Sequence, residues 1–300
     1  MRSRAIIVLA FALICLIWGS TWLVIKIGLQ SMPPLFSAGV RFVVAVTILF
    51  ILIKLRGLSL PTDKISRWVF LSAGLLSFGI PFALVYWAEQ YIASGLSSIL
   101  FASYPFMIAI LSYYVVKEEP LTLLKIIGIT LGFIGIIVIF WADVHLSNRY
   151  AFFGMVGIVL SAFLQAISVI IIKKYGRTLH PFVVSFGGML QAAFLLLTGS
   201  LLFERRSPLT LNLTAVWTVL YLSVFGSVVT FSIYFWLLKR IPVVVLSLSA
   251  LITPVIAVFL GGIILSEILT ARTYLGATIV LLGVLVTNIE EFRKARLWRT

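Results

Sequence analysis

Residues Glu119–Val138 read EPLTLLKIIGITLGFIGIIV, and residues Glu267–Val286 read EILTARTYLGATIVLLGVLV. Set side by side at a shift of 148, the two stretches share 7 of 20 positions, from Glu119/Glu267, Leu121/Leu269 and Thr122/Thr270 to Gly128/Gly276 and Gly135/Gly283. Working outward, nearly the same offset holds along the chain. A shift of 147 aligns Lys26 with Lys173 and Pro34 with Pro181, 148 aligns Tyr86 with Tyr234, and 149 aligns Pro105 with Pro254. A constant offset over this length is the signature of an internal repeat. It divides the chain into residues 1–147 and 148–300.

The composition says where such a chain can live. Of 300 residues, 62% are hydrophobic and 11% charged, against about 25% charged in ordinary soluble domains. The apolar residues come in long unbroken runs. In lipid the backbone must satisfy its own hydrogen bonds, so long runs read as helices and short alternating ones as barrel strands. The runs predict helices at 5–27, 35–54, 67–89, 95–116, 121–141, 151–173, 181–203, 214–238, 243–265 and 271–289. The fold class is therefore an all-α integral membrane protein with ten transmembrane helices. Five helices per repeat is an odd number, so the second copy enters the membrane upside down. Inverted repeats are characteristic of transporters, whose substrate site lies near the midplane between the halves.

Lys and Arg sort with this topology. On one side lie 17 of the 23, among them Arg2, Arg4, Lys54, Arg56, Lys117, Lys173, Arg177, Lys239 and Arg293; the other side's loops hold Arg149, Arg205, Arg206 and Arg272. Cytoplasmic loops carry the excess of Lys and Arg, which places both termini in the cytoplasm of an inner membrane. The net charge of +14 is accounted for by this asymmetry and does not call for nucleic acid. The first apolar stretch runs to Ile25, longer than a signal-peptide core. Cys15 is the single cysteine, so no internal disulfide forms. No phosphate loop, Cys–His cluster or nucleophile elbow occurs. His145 and His180 fall on opposite sides, and Asp143 with His145 lacks a third ligand. The reading needs no cofactor or metal and no enzyme activity.

Polar residues inside the spans are the candidates for function. Trp18, Thr21 and Trp22 share one face of the first helix by their i, i+3, i+4 spacing. Gln165 and Ser168, with Ser161 a turn back, form the matching stripe of the sixth. The stripes read as cavity walls, or as helix packing, since hydroxyls also bring helices together. Tyr86, Glu89 and Gln90 share a face of the third helix. A carboxyl placed like Glu89 requires a partner or a function. A Glu89–Arg41 or Glu89–Lys26 pair would form a gate, and Glu89 could instead take a proton or hold a substrate amino group. The alternative is an interfacial Glu89 beside a snorkelling Lys26. Arg41 could hold a carboxylate through its planar fork or bond helix-end carbonyls. Ser223, Ser227, Thr230 and Tyr234 make one stripe of the eighth helix. Pro105 and Pro254 interrupt helices at matching places and are candidate hinges; Ser97, Tyr104, Ser249 and Thr253 flank them. Gly128 and Gly132 read as close packing, within the chain or in a dimer seam. Glu119 and Glu267 read as caps of helix starts.

These residues resemble the EamA-type transporters of the drug/metabolite transporter superfamily. Trp18-Gly19-Ser20-Thr21-Trp22, Arg41 within Ala38-Gly39-Val40-Arg41-Phe42, the duplicated Glu-x-Leu-Thr, Ser94-Gly95 and Pro105 carry the resemblance, which covers both halves. The second half departs from it, with Gln165-Ala166-Ile167 where the first has Trp18-Gly19-Ser20. The resemblance implies ten helices in two inverted repeats and export of amino acids or other metabolites. The expected partners are a small-molecule substrate (an amino acid or amphiphilic metabolite) and membrane lipids, with a monomer or homodimer as the unit. A flippase of lipid-linked carriers and an intramembrane enzyme are the competing readings.

Overall fold

The computed structural model describes residues 2–116, 122–144 and 149–289. Among them, nine helices are long and apolar enough to cross a membrane. They are α1 Ala5–Gly28, α2 Pro34–Leu55, α3 Lys64–Ala88, α4 Ser94–Val115, α5 Leu123–Trp141, α6 Arg149–Tyr175, α7 Pro181–Phe203, α8 Leu213–Leu238 and α9 Val243–Leu265. The tenth, α10 Ala271–Thr287, is apolar but only 17 residues long. At ~1.5 Å per residue it covers ~26 Å, close to the ~30 Å hydrocarbon layer. The readings attached to Lys117, Glu119, His145 and Arg293 lie outside the described residues, as do the side chains of Arg2, Arg4 and Asp143.

Helix ends follow local chemistry. Asp63 accepts hydrogen bonds from the Ile65 and Ser66 amides, so α3 begins at Lys64, three residues before the apolar run suggests. Asn212 caps α8 and Thr270 caps α10 in the same way, while α2 and α7 each open on a proline, whose fixed φ suits a first helical turn. Large apolar side chains such as Leu9, Phe194 and Phe259 are exposed on the outside, where lipid takes the place of a core. The interior instead collects hydroxyls: Ser97, Ser161, Ser185, Ser223 and Thr230 are fully buried.

The two halves interlock as inverted copies. Helices α2 and α7, equivalent in the repeat, pack on each other, as do α5 and α10. Helix α1 lies against α8, and its counterpart α6 against α3. The α5–α10 contact is a glycine seam. A Cβ on Gly283 would fall 2.6 Å from the Gly128 carbonyl oxygen and 2.6 Å from the Gly132 amide nitrogen. The glycines expected as a possible dimer seam are therefore filled by the chain's own α10. Gly19 serves the same end in α1, where a Cβ would meet Ile256 of α9 at 2.6 Å.

Several helices are not the uniform rods the apolar runs suggest. Helices α3 and α8 each contain a widened π-helical stretch, Ala73–Gly79 and Val224–Val229. These sit about 150 residues apart in sequence, at corresponding places in the two halves. A third, Ser112–Val116, ends α4. Widened turns change the i→i−4 bonding and recur at functional sites. Helix α4 is broken at Ala102–Ser103, and Pro105 opens its second segment. In α9 the interruption is at Leu248, whereas Pro254 stands inside the continuous segment Ser249–Leu265. The two prolines match in sequence, yet only Pro105 sits at a break.

Candidate functional site

A cavity of about 90 Å³ lies between the halves. Helix α1 contributes Trp18, Thr21 and Trp22, α2 contributes Arg41, and α6 contributes Gln165. Tyr104 comes from α4, Tyr234 and Phe235 from α8, and Ser249 and Thr253 from α9. The walls are mainly aromatic. The Trp18 ring lies 5.3 Å from that of Phe231 and 5.2 Å from that of Tyr234. Trp22 packs on Phe101, which stacks on Tyr104. The hydroxyls of Tyr104 and Tyr234 are 2.7 Å apart and hydrogen-bonded, joining the two repeats across the cavity.

Arg41 supplies the charge. It is 2% exposed, and its anchoring follows from the widened turn in α8. Its Nη2 donates to the Gly226 carbonyl at 2.9 Å and its Nε to Ser227 Oγ at 2.9 Å. Its Nη1 donates to the Tyr86 hydroxyl at 3.2 Å. The guanidinium also lies 4.8 Å from the centre of the Phe82 ring, a cation–π contact. A guanidinium has five N–H donors, and these bonds use three of them. The remaining two belong to a residue on the cavity wall. Of the two roles open to Arg41, the structure displays carbonyl bonding.

Several expected site residues lie off this wall. Tyr86 stands behind Arg41 as its acceptor. Ser168 is fully buried and donates to the Ser72 carbonyl, tying α6 to α3. Thr230 donates to the Phe225 carbonyl within the widened turn of its own helix. Gln90 is exposed and bonds the Trp87 carbonyl, because α3 ends at Ala88 and the helical face that would carry it inward does not continue. Conversely, Ser77, Phe82, Phe231 and Phe235 line the cavity without having been singled out. The three phenylalanines, apolar side chains in apolar helices, give no signal of their own, and Ser77 falls outside the polar stripes read from the sequence.

The expected Glu89 gate is not formed. Lys26 Nζ donates to the backbone carbonyls of Glu89 and Ile92, and Arg41 bonds α8 instead. The Glu89 carboxyl is 0% exposed, and neither oxygen has a hydrogen-bonding partner among the described residues. Glu267 is placed differently. Its carboxylate accepts from the Ser94 amide at 2.8 Å, the Ser94 hydroxyl at 2.9 Å and the Gly95 amide at 3.2 Å. It thus caps the start of α4 and not of its own helix, which Thr270 caps. Ser266 takes the left-handed conformation, φ 54°, a cost of about 1–3 kcal/mol for a non-glycine residue, in the turn that carries Glu267 back to Ser94. Glu204 caps α2 likewise, through the Leu35 and Phe36 amides.

Inverted five-helix halves closing on a shared central cavity are the architecture of a membrane transporter. The chain belongs to the EamA-like transporter family, whose profile matches residues 5–141 and 152–289. Relatives agree along the whole length. Protein PagO of Salmonella typhimurium is 30% identical, with 97% of this chain and 95% of that protein covered. The uncharacterized inner membrane transporter YedA of Escherichia coli is 29% identical over 97% and 94%. A protein of Salmonella typhimurium named a probable amino-acid metabolite efflux pump is 29% identical over 95% of each chain. The chain is thus a multi-pass membrane transporter.

Proposed function

We propose that the protein is a secondary exporter of amino acids or similar small metabolites, working by alternating access between residues 1–147 and 148–300. It lies in the inner membrane with both termini cytoplasmic, and it moves its solute without converting it. The observation that carries this reading is the central cavity, with aromatic rings from both repeats and the Arg41 guanidinium among its lining residues. Aromatic walls suit an apolar side chain and the guanidinium suits a carboxylate. The relative named as an amino-acid metabolite efflux pump supports the same substrate class.

The volume supports alternating access. About 90 Å³ is less than the roughly 150 Å³ that admits a benzene ring. A solute with a large apolar side chain fits only after the halves move apart. Parting them must break the Tyr104–Tyr234 bond, and the breaks at Ala102–Ser103, beside Pro105, and at Leu248 are where α4 and α9 would flex. Counterflow in proteoliposomes, with labelled amino acids and an amphiphilic cation as a separate probe, tests the proposal. Saturable exchange of amino acids is the expected result. Exchange of the cation alone, or of nothing above protein-free vesicles, would overturn it.

A further inference from the structure

Six helices make two groups about the central cavity. Helix α1 packs on α8 and α9, and α6 packs on α3 and α4. The groups meet where α4 faces α9, and at one end of that seam they are latched. Lys26 of α1 donates to the Glu89 and Ile92 carbonyls, which follow α3. Glu267, in the turn after α9, accepts from the Ser94 and Gly95 amides and the Ser94 hydroxyl at the start of α4. Two charged residues of one group thus grip a single short stretch of the other, residues 89–95.

Glu89 belongs to the gripped stretch, and its side chain is shut in with it. It is 0% exposed, and neither carboxyl oxygen has a hydrogen-bonding partner among the described residues. Lys26 from α1 attracts a negative charge there, and Glu267 from the second repeat repels it. On its own helix, the Tyr86 hydroxyl is engaged as an acceptor for Arg41. Helix α4 brings hydroxyls, of which Ser97 and Ser98 are buried without a hydrogen-bonding partner. Helix α6 approaches through Gly154, against Ala88, and its exposed Arg149 lies on Tyr150. The fold does not ask for a carboxyl at this place. In the inverted repeat Lys173 makes the same pair of bonds, to the Leu238 and Ile241 carbonyls. The residue corresponding to Glu89 there is Leu238, which is 2% exposed.

An ionised carboxylate shut away without hydrogen bonds is costly, and a neutral carboxylic acid is far less so. We infer that Glu89 is a proton-binding site, and that the latch of Lys26 and Glu267 closes over it once the proton is aboard. With the seam apart, water reaches the carboxylate and one oxygen takes a proton from it. With the seam shut, the carboxylic acid is held, and reopening returns the proton to water. Only an O–H bond forms and breaks, so closure binds one proton. The inference rests on the export reading for which side of the membrane this end faces, but its test does not require transport.

The test uses the full chain in detergent with Cys15→Ala and nitroxide labels at Gln90→Cys and Ile268→Cys. Both positions are exposed, and they stand on opposite sides of the seam. Label separations are measured by pulsed electron resonance in steps from about pH 9 to about pH 5, a range that brackets carboxyl groups in water and in apolar surroundings. If closure binds one proton, acidification should raise the ratio of short to long separations by up to about tenfold per pH unit. Glu89→Gln should show the acid-side distribution at every pH, and Glu267→Gln should keep a pH response. Should Glu89→Gln fold poorly, Glu89→Leu, which copies Leu238, takes its place with the same expectation. On the same pH steps, infrared difference spectra should show a carboxylic-acid carbonyl band that Glu89→Gln lacks. Separations that ignore pH would overturn the inference. So would a response that survives in Glu89→Gln and vanishes in Glu267→Gln, which would assign the proton to Glu267. Exchange of amino acids by a chain whose separations ignore pH would sink this inference alone. Proton-linked closure in a chain that exchanges no amino acid would sink the export reading alone.

Discussion

Lys26 and Lys173, 147 positions apart in sequence, make the same pair of bonds at opposite ends of the bundle. Lys26 donates to the carbonyls of Glu89 and Ile92, and Lys173 to those of Leu238 and Ile241. Each acceptor pair lies 149 residues from its counterpart. Each lysine therefore closes the end of α3 or α8 by bonding carbonyls that a helix terminus leaves unsatisfied. Bonds to a charged donor contribute roughly 1.5–3 kcal/mol each. Lys26→Met and Lys173→Met should each lower the thermal unfolding midpoint, and by comparable amounts. A loss confined to one of them would mean the repeat is not mechanically symmetric.

Arg41 holds three partners with a planar fork that an ammonium cannot reproduce. Arg41→Lys is expected to leave the helical content unchanged by circular dichroism. It should reduce amino-acid counterflow about tenfold or more, the equivalent of one charge-assisted hydrogen bond. Full activity in Arg41→Lys would reduce Arg41 to a structural clamp.

Glu89 is a buried carboxyl without a hydrogen-bonding partner among the described residues, so carrying a charge there is costly unless a proton or a cation accompanies it. Glu89→Gln keeps the shape and removes the proton site. Counterflow at neutral pH is expected to persist in this variant while its response to an imposed pH gradient disappears. An unchanged pH response would show that Glu89 carries no proton in the transport cycle.

The glycine seam between α5 and α10 admits no side chain at Gly283, whereas the nearest atom to a Cβ on Gly262 is 3.9 Å away. Overpacking of this kind costs typically about 1–3 kcal/mol, and here the obstructing atoms are backbone. Gly283→Leu should sharply reduce folded yield in fluorescence-detected size exclusion, and Gly262→Ala should not. Equal yields would mean that α10 can slide along α5 at little cost.

His180 accepts a hydrogen bond from the Phe182 amide through Nδ1, which requires an unprotonated nitrogen. Its imidazole titrates below the usual range, chiefly through burial and then through Lys239 and Arg56. The unfolded chain therefore takes up the proton first on acidification. Stability from this contact is complete above about pH 6.5, the ordinary histidine value, and is lost as the pH falls through the lower folded value. Thermal midpoints from pH 8 to 5 should fall more steeply for the unsubstituted protein than for His180→Asn. Parallel curves would exclude the contact as a contributor.

The sequence by itself determined that the chain crosses a membrane as ten helices in two inverted repeats. Lipid imposes its cost residue by residue, and a duplication leaves a constant offset, so both are legible along one dimension. It also brought Trp18, Trp22, Arg41, Gln165 and Tyr234 to notice, because polar and amphipathic groups are conspicuous in apolar helices. The tertiary structure alone decided what those groups touch. Arg41 reaches the Gly226 carbonyl because α8 widens at that turn. Lys26 takes the backbone of Glu89 and not its carboxyl, and Glu267 caps α4 and not its own helix. Each of these choices depends on helix rotation and on approaches of a few tenths of an ångström across elements far apart in sequence. Apolar periodicity is blind to both.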